Sequence, residues 1–345
     1  MNPAAVAAPV NAPPPFSPPS WLRNAHLQTL LANKPLRWPK GPRVHDEAYE
    51  LPDGDIVRLV RNISAASADS RPPRVVVLHG LAGGYDSAYA RDLFTAFEAH
   101  ELEGHLLHFR GCGDLMNRLP RGYHAGDTSD FAHYVSELHR EAPERPIYAV
   151  GFSLGANVLL KYLGTENEQG HVAAAVAVSV PFLLDDACES ISSGFSLLYH
   201  KVLLRRLKQS MVEKFGSLPA DQIPFDYGAL KRVGDLRSFD DLVTAPMHGF
   251  GTAEHYYAVS SCRQYLLGID TPTLILHAAD DPFQSPAGIP TPSELASPVE
   301  LELSAHGGHV GFLQGTSGGL TWKSWLTPRI TAYLRAQARG QGSAT

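Results

Sequence analysis

The chain predicts an α/β fold, a mostly parallel central sheet flanked by helices, with a mostly helical cap inserted late in the sheet. Three observations carry that expectation. From Arg74 onward, short apolar runs alternate with segments of helical period, as in a parallel sheet covered on both faces. The runs themselves, such as Arg74 to His79 (RVVVLH), lack polar alternation, as strands buried on both sides do. The alternation then pauses between Phe182 and about Cys262 before strands resume, which suggests a lid over the C-terminal edge of the sheet, where open α/β sheets bind ligands.

Taken in order, residues 1–20 form a Pro/Ala-rich stretch without a basic n-region, and their prolines prevent a continuous apolar helix. A disordered tail is expected there rather than a signal peptide, with one folded domain over 21–345 and the cap at about 182–262. Trp21 to Leu31 reads as a short helix, and Pro35 to Pro42 as a proline-rich link. Asp53-Gly54 stands between two alternating runs in Asp46 to Asn62, the mark of a β-hairpin. Core strands are expected at Arg74–His79, His105–Phe109, Ile147–Gly151, Val172–Val180, Thr273–His277 and Val299–Leu303. Helices are expected at Tyr89–His100, Asp127–Glu141, Leu154–Leu163 (stopped by Gly164) and Leu320–Leu334.

Bulk properties narrow the function. With 345 residues, 44% hydrophobic and 19% charged, the chain can bury a large core. A net charge of -6 gives no electrostatic reason to expect nucleic acid as a partner. Cys112, Cys188 and Cys262 are widely spaced and odd in number, which favours a reducing, cytoplasmic location over a disulfide framework. The 16 histidines are scattered and no HExxH occurs, so no metal is expected.

The chemistry concentrates at Gly151-Phe152-Ser153-Leu154-Gly155. A G-x-S-x-G pattern alone is weak, but here it follows an apolar strand and opens a helix, the setting of a nucleophile elbow. So sharp a turn needs small neighbours, which Gly151, Gly155 and Ala156 supply. A serine hydroxyl needs a base, and the base a partner that fixes its tautomer. Asp280 and Asp281 end the strand TPTLILHA; Asp281, just before Pro282, is the favoured acid and Asp280 a turn former. His309, after Gly307 and Gly308, is the favoured base, with His306 as competitor. The oxyanion donors are expected to be the backbone N–H groups of Leu154 and of Leu81, in His79-Gly80-Leu81-Ala82-Gly83-Gly84. A plain glycine turn is the bland alternative for that loop.

Together these segments resemble the YheT-type branch of the α/β-hydrolases, which is related to eukaryotic abhydrolase-domain lipases and acyltransferases. The likeness runs from Trp21 to about Leu334. It rests on NAHLQTL (Asn24 to Leu30), HGLAGG, Phe109 to Phe131, GFSLGANVLLKYLG, AADDPF and GGHVGF. One small departure is Asp114-Leu115-Met116-Asn117, where relatives often carry a glycine sooner. The resemblance implies an α/β-hydrolase fold, an esterase or lipase acting on acyl esters without a cofactor, and a triad of Ser153, Asp281 and His309.

Other residues stay open. Asn24 and His26 have no evident role, and Arg110 and His124 either contact substrate or order their loop by hydrogen bonds. The segment Phe195 to Phe215 spaces Leu198, Val202, Leu207, Met211 and Phe215 along a helix that also carries Lys201, Arg205, Arg206 and Lys208. Such a helix packs its apolar stripe on the domain or presents a basic face to anionic lipid as a peripheral membrane contact. Oligomeric state leaves no mark in the sequence.

Overall fold

The computed structural model describes residues 13–32, 41–62, 72–167, 170–315 and 321–342. Eight strands form one sheet in the order β1-β2-β4-β3-β5-β6-β7-β8. Strands β1 (Val44–Glu50) and β2 (Ile56–Asn62) are the hairpin expected around Asp53-Gly54. The others are β3 (Arg74–Leu78), β4 (Glu103–Leu107), β5 (Ile147–Phe152), β6 (Val172–Val178), β7 (Thr273–Ala278) and β8 (Val299–Ser304). Only β1/β2 and β2/β4 run antiparallel; the remaining pairs are parallel. The fold class is the one the sequence predicts.

Period-2 side-chain alternation divides the core in two. Val75 and Val77 of β3, with Val150 and Val176, face helix α2 (Ala88–Ala99) and the C-terminal helix Leu326–Gly342. Val76 and Leu78, with Ala149 and Ala177, face α3 (Ser129–Glu141) and α4 (Leu154–Thr165). Every residue of β3 is buried, which is why its sequence shows no polar alternation.

Between β6 and β7 the chain runs through α5 (Leu184–Ile191), α6 (Leu197–Phe215), several short turns and the helix Ala253–Ser260. Part of this stretch surrounds an apolar cluster of its own, with Ile191, Leu204, Phe215, Phe225, Leu230, Leu236, Phe239 and Val243. On α6, Phe215 is buried there and Leu207 and Met211 pack against it, whereas Leu198 and Val202 are exposed. The apolar stripe is therefore split between two faces.

Two expectations are corrected. The final helix begins at Leu326, not Leu320, because Trp322–Ser324 pairs instead with Leu313–Gly315 as a two-stranded ribbon. Within the expected tail, residues 1–12 lie outside the described part, as does most of Pro35 to Pro42, but the chain from residue 13 is docked. The Phe16 ring lies 5.2 Å from that of Phe312 and 5.6 Å from that of Trp325, and the Trp325 indole N–H donates to Pro14 O at 2.8 Å. A buried indole needs an acceptor, and this stretch provides one. Among the described residues, no helix is long and apolar enough to cross a membrane.

Candidate active site

Ser153 stands between β5 and α4 with φ 52° and ψ -120°, outside the regions ordinary residues occupy. The strain persists because the surroundings enforce it: Ser153 N–H donates to Val178 O at 2.9 Å, while its own carbonyl accepts from Ala156 and Asn157 of the helix. A Cβ on Gly155 would fall 2.5 Å from Leu78 O and 2.6 Å from His79 O, so only glycine lets α4 start this close to β3.

The three expected side chains meet. His309 Nε2 lies 2.9 Å from Ser153 Oγ, and its Nδ1 lies 2.9 Å and 3.2 Å from the two Asp281 oxygens. Asp281 is buried, 5% exposed, and His309 is 8% exposed. Burial works to raise the Asp281 pKa, yet the charge and hydrogen bond of His309 and the Phe283 N–H hold it below 3.8. Phe283 also stacks on the imidazole, with ring centroids 4.0 Å apart.

The competitors pair with each other. His306 Nδ1 lies 3.3 Å from Asp280 Oδ2, and the Gly308 N–H donates to Asp280 Oδ1 at 2.9 Å. Burial raises the Asp280 pKa above 3.8 despite those contacts. Asp280 thus bonds a backbone N–H, though in the loop after β8 rather than in its own turn.

Around the expected oxyanion site, Gly80 N–H donates to Tyr89 Oη at 3.1 Å and Ala82 N–H to Tyr123 Oη at 2.9 Å. Between them the Leu81 N–H has no acceptor among the described residues, and neither has the Leu154 N–H at the head of α4. His79 braces the same loop: Nδ1 donates to Gly80 O at 2.7 Å, and Nε2 accepts from Phe109 N–H at 3.1 Å. Full burial lowers its pKa to about 3, so the ring is neutral, as those two bonds require.

The residues left open also find places. Arg110 is buried and bonds Asp130 through Nε and Nη2 (2.8 and 2.6 Å) and Asp53 and Asp55 through Nη1 (2.7 and 2.8 Å). It orders loops. His124 accepts from Gly126 N–H at 3.1 Å and packs against the rings of His248, Phe250 and Tyr256. Asn24 Oδ1 accepts from Leu27 N–H at 3.0 Å, starting helix α1 (Ala25–Ala32), and the His26 ring lies 4.5 Å from that of Phe195 on the cap.

Sequence reasoning did not single out Gln28, Thr29, Tyr89, Tyr123 or Ser179, all of which hold the loops of this site. Gln28 and Thr29 sit in NAHLQTL, and two polar residues on a short apolar helix were the available signal.

A strained serine at a strand–helix turn, hydrogen-bonded to a histidine that is bonded to a buried aspartate, defines the hydrolase class of α/β proteins. The chain belongs to the alpha/beta hydrolase fold family, whose model matches residues 73–316. Within it the YheT branch is the right one. The chain is 41% identical to the Escherichia coli (strain K12) protein named "Putative esterase YheT", over 94% of this chain and 95% of that one. It is 31% identical to a monoacylglycerol lipase of Saccharomyces cerevisiae (78% of this chain, 60% of the relative). It is 30% identical to the phospholipase ABHD3 of Mus musculus (87% and 74%). Among solved structures, a Pyrococcus furiosus esterase is similar in fold, with a TM-score of 0.53 and 16% identity over 87% of this chain and 99% of that one.

Proposed function

We propose that this chain hydrolyses carboxylic (acyl) esters through an acyl-enzyme on Ser153. The observation that carries the reading is the unbroken hydrogen-bonded line from Ser153 Oγ through His309 to Asp281, at 2.9 Å on each side of the imidazole. With the ring proton held on Nδ1 by Asp281, Nε2 keeps its lone pair for the serine hydroxyl.

His309 takes the hydroxyl proton as Ser153 Oγ bonds the acyl carbon. The carbonyl oxygen becomes an oxyanion facing the Leu81 and Leu154 N–H groups, donors worth about 3–4 kcal/mol each in such sites. Collapse breaks the bond to the alcohol oxygen, which leaves with the proton from His309. Water, deprotonated by His309, then attacks the acyl-enzyme, releasing the acid and returning the proton to Oγ. No cofactor enters this sequence.

The names of the relatives, an esterase, a monoacylglycerol lipase and a phospholipase, support an acyl ester as the bond cleaved and lipid as the source of the acyl group. The free thiols of Cys112, Cys188 and Cys262 support a cytoplasmic location. The outer face of α6, with its exposed apolar and basic residues, supports contact with a membrane surface.

A fluorophosphonate probe tests the core of the reading. Labelling of the wild type that disappears in Ser153→Ala is expected; an unlabelled wild type points instead to a non-catalytic scaffold. Because an alcohol can replace water in the second step, products formed with and without added ethanol separate hydrolysis from acyl transfer.

A further inference from the structure

The loop that carries His309 is strained and held from outside. Val310 and Phe312 have φ of 54° and 45°, conformations that bulky and β-branched residues avoid. Such a loop keeps its shape only if its surroundings over-determine it. Four of its amides are accordingly bound by side chains from other parts of the fold. Gly308 N–H donates to Asp280, His309 N–H to Thr29 Oγ1 at 2.9 Å, Val310 N–H to Ser179 Oγ at 2.9 Å, and Leu313 N–H to Gln28 Oε1 at 2.7 Å.

Two of the four come from α1, far away in sequence. Gln28 is fully buried and Thr29 is 2% exposed. Gln28 Nε2 donates to Leu313 O at 3.1 Å and to Leu22 O at 2.8 Å, so one amide grips both backbone groups of Leu313. The Thr29 hydroxyl donates to Ala25 O at 2.9 Å, which leaves its lone pairs to accept the His309 N–H. The contact is tight: a Cβ on Gly308 would fall on Ala25 O and 2.7 Å from Thr29 Oγ1.

We propose that α1, through Thr29 and Gln28, is the positioning element of the general base. It touches no reacting atom but fixes the backbone that aims the His309 imidazole at Ser153. This rests on the serine-hydrolase reading above.

Thr29→Val removes the acceptor at nearly constant volume, and Thr29→Ser keeps it. Turnover of a soluble nitrophenyl ester, measured per folded chain, is expected to fall on the order of 10- to 100-fold in kcat for Thr29→Val, as a misplaced catalytic group does. KM should move little, and Thr29→Ser should restore kcat. A role in folding alone would lower the melting temperature and leave kcat per folded chain unchanged, and that result overturns the proposal. Should Thr29→Val not fold, Gln28→Glu serves under the same criterion, since it keeps the acceptor for Leu313 N–H and loses both donations. If the wild type neither turns over ester nor takes the fluorophosphonate label, the hydrolase reading itself has failed. If it does both and neither variant loses kcat, only the positioning role has.

Discussion

At the scale of single residues, two adjacent carboxylates have been given different work by their surroundings. Asp281 is buried against the imidazole and kept ionised, while Asp280 receives the Gly308 N–H and faces His306. Replacing Ser153 or His309 by alanine should cut kcat by roughly a million-fold, the loss seen when either member of such a pair is removed. Asp281→Asn should cost about ten-thousand-fold, because the wrong imidazole tautomer is then stabilised. Asp280→Asn should cost at least about a hundredfold less than that, since it loosens a loop without touching the tautomer. Steady-state rates on one soluble ester decide among these, and equal losses at 280 and 281 would refute the assignment. The proposed triad of Ser153, Asp281 and His309, three side chains that do meet in the fold, could be picked out in the sequence because each sits beside a local signal: a G-x-S-x-G turn, an aspartate before a proline, a histidine after two glycines. Thr29 and Gln28 were not, because their partners lie some 280 residues away and nothing local announces a hydroxyl that accepts one particular amide.

Among the elements, the hairpin β1–β2, the loop after β4, and helices α3 and α6 are tied by one buried ionic hub. Arg110 bonds three carboxylates, Asn117 donates to Asp55 at 2.7 Å, and Lys214 near the end of α6 donates to Asn117 Oδ1 at 2.6 Å. Burial tends to raise the Asp55 pKa, but the Asn117 donor and the Ile56, Leu119 and Arg118 N–H groups hold it below 3.8. A carboxylate with a depressed folded pKa stabilises the fold above its unfolded value, and that stability drains away as pH falls through the folded one. Asp55→Asn should therefore cost about 3 kcal/mol at pH 7, the scale of breaking one side of a buried pair. The deficit should begin to shrink as pH drops below 3.8 and close further as pH falls through the lower folded value, where the wild-type carboxylate is protonated too. Urea midpoints at the two pH values measure this, and a deficit that stays constant would count against it. Asp53-Gly54 made the hairpin readable, but not that its turn neutralises a buried arginine. The ribbon Leu313–Gly315 with Trp322–Ser324 was missed for a related reason: three-residue strands exist only by virtue of their partner.

For the molecule as a whole, the parallel sheet was readable because each buried strand declares itself in five to seven contiguous residues. The helical insertion before β7 was readable as well, but its packing was not, since its apolar cluster is gathered from short pieces between Ile191 and Val243. What the cap leaves uncovered bears on where the enzyme works. Phe195, Leu198 and Val202 are 53%, 51% and 47% exposed, beside exposed Lys201, Arg205 and Arg206, in a chain whose net charge is -6. None of these three cations forms an ion pair among the described residues. The face also lies close to the chemistry: the Phe195 ring lies 6.2 Å from that of Tyr199, Tyr199 lies 5.2 Å from Phe283, and Phe283 stacks on His309. Apolar side chains ringed by unpaired cations suit an anionic bilayer, where each basic residue contributes about 1 kcal/mol. The protein should co-float with phosphatidylglycerol-containing vesicles at low salt and be released near 1 M salt, where screening acts within about 3 Å. Reversing all three cations to glutamate should weaken that binding about a hundredfold while turnover of a short soluble ester persists. Equal binding to neutral and anionic vesicles, or binding indifferent to the three reversals, would mean that α6 serves only to close the cap.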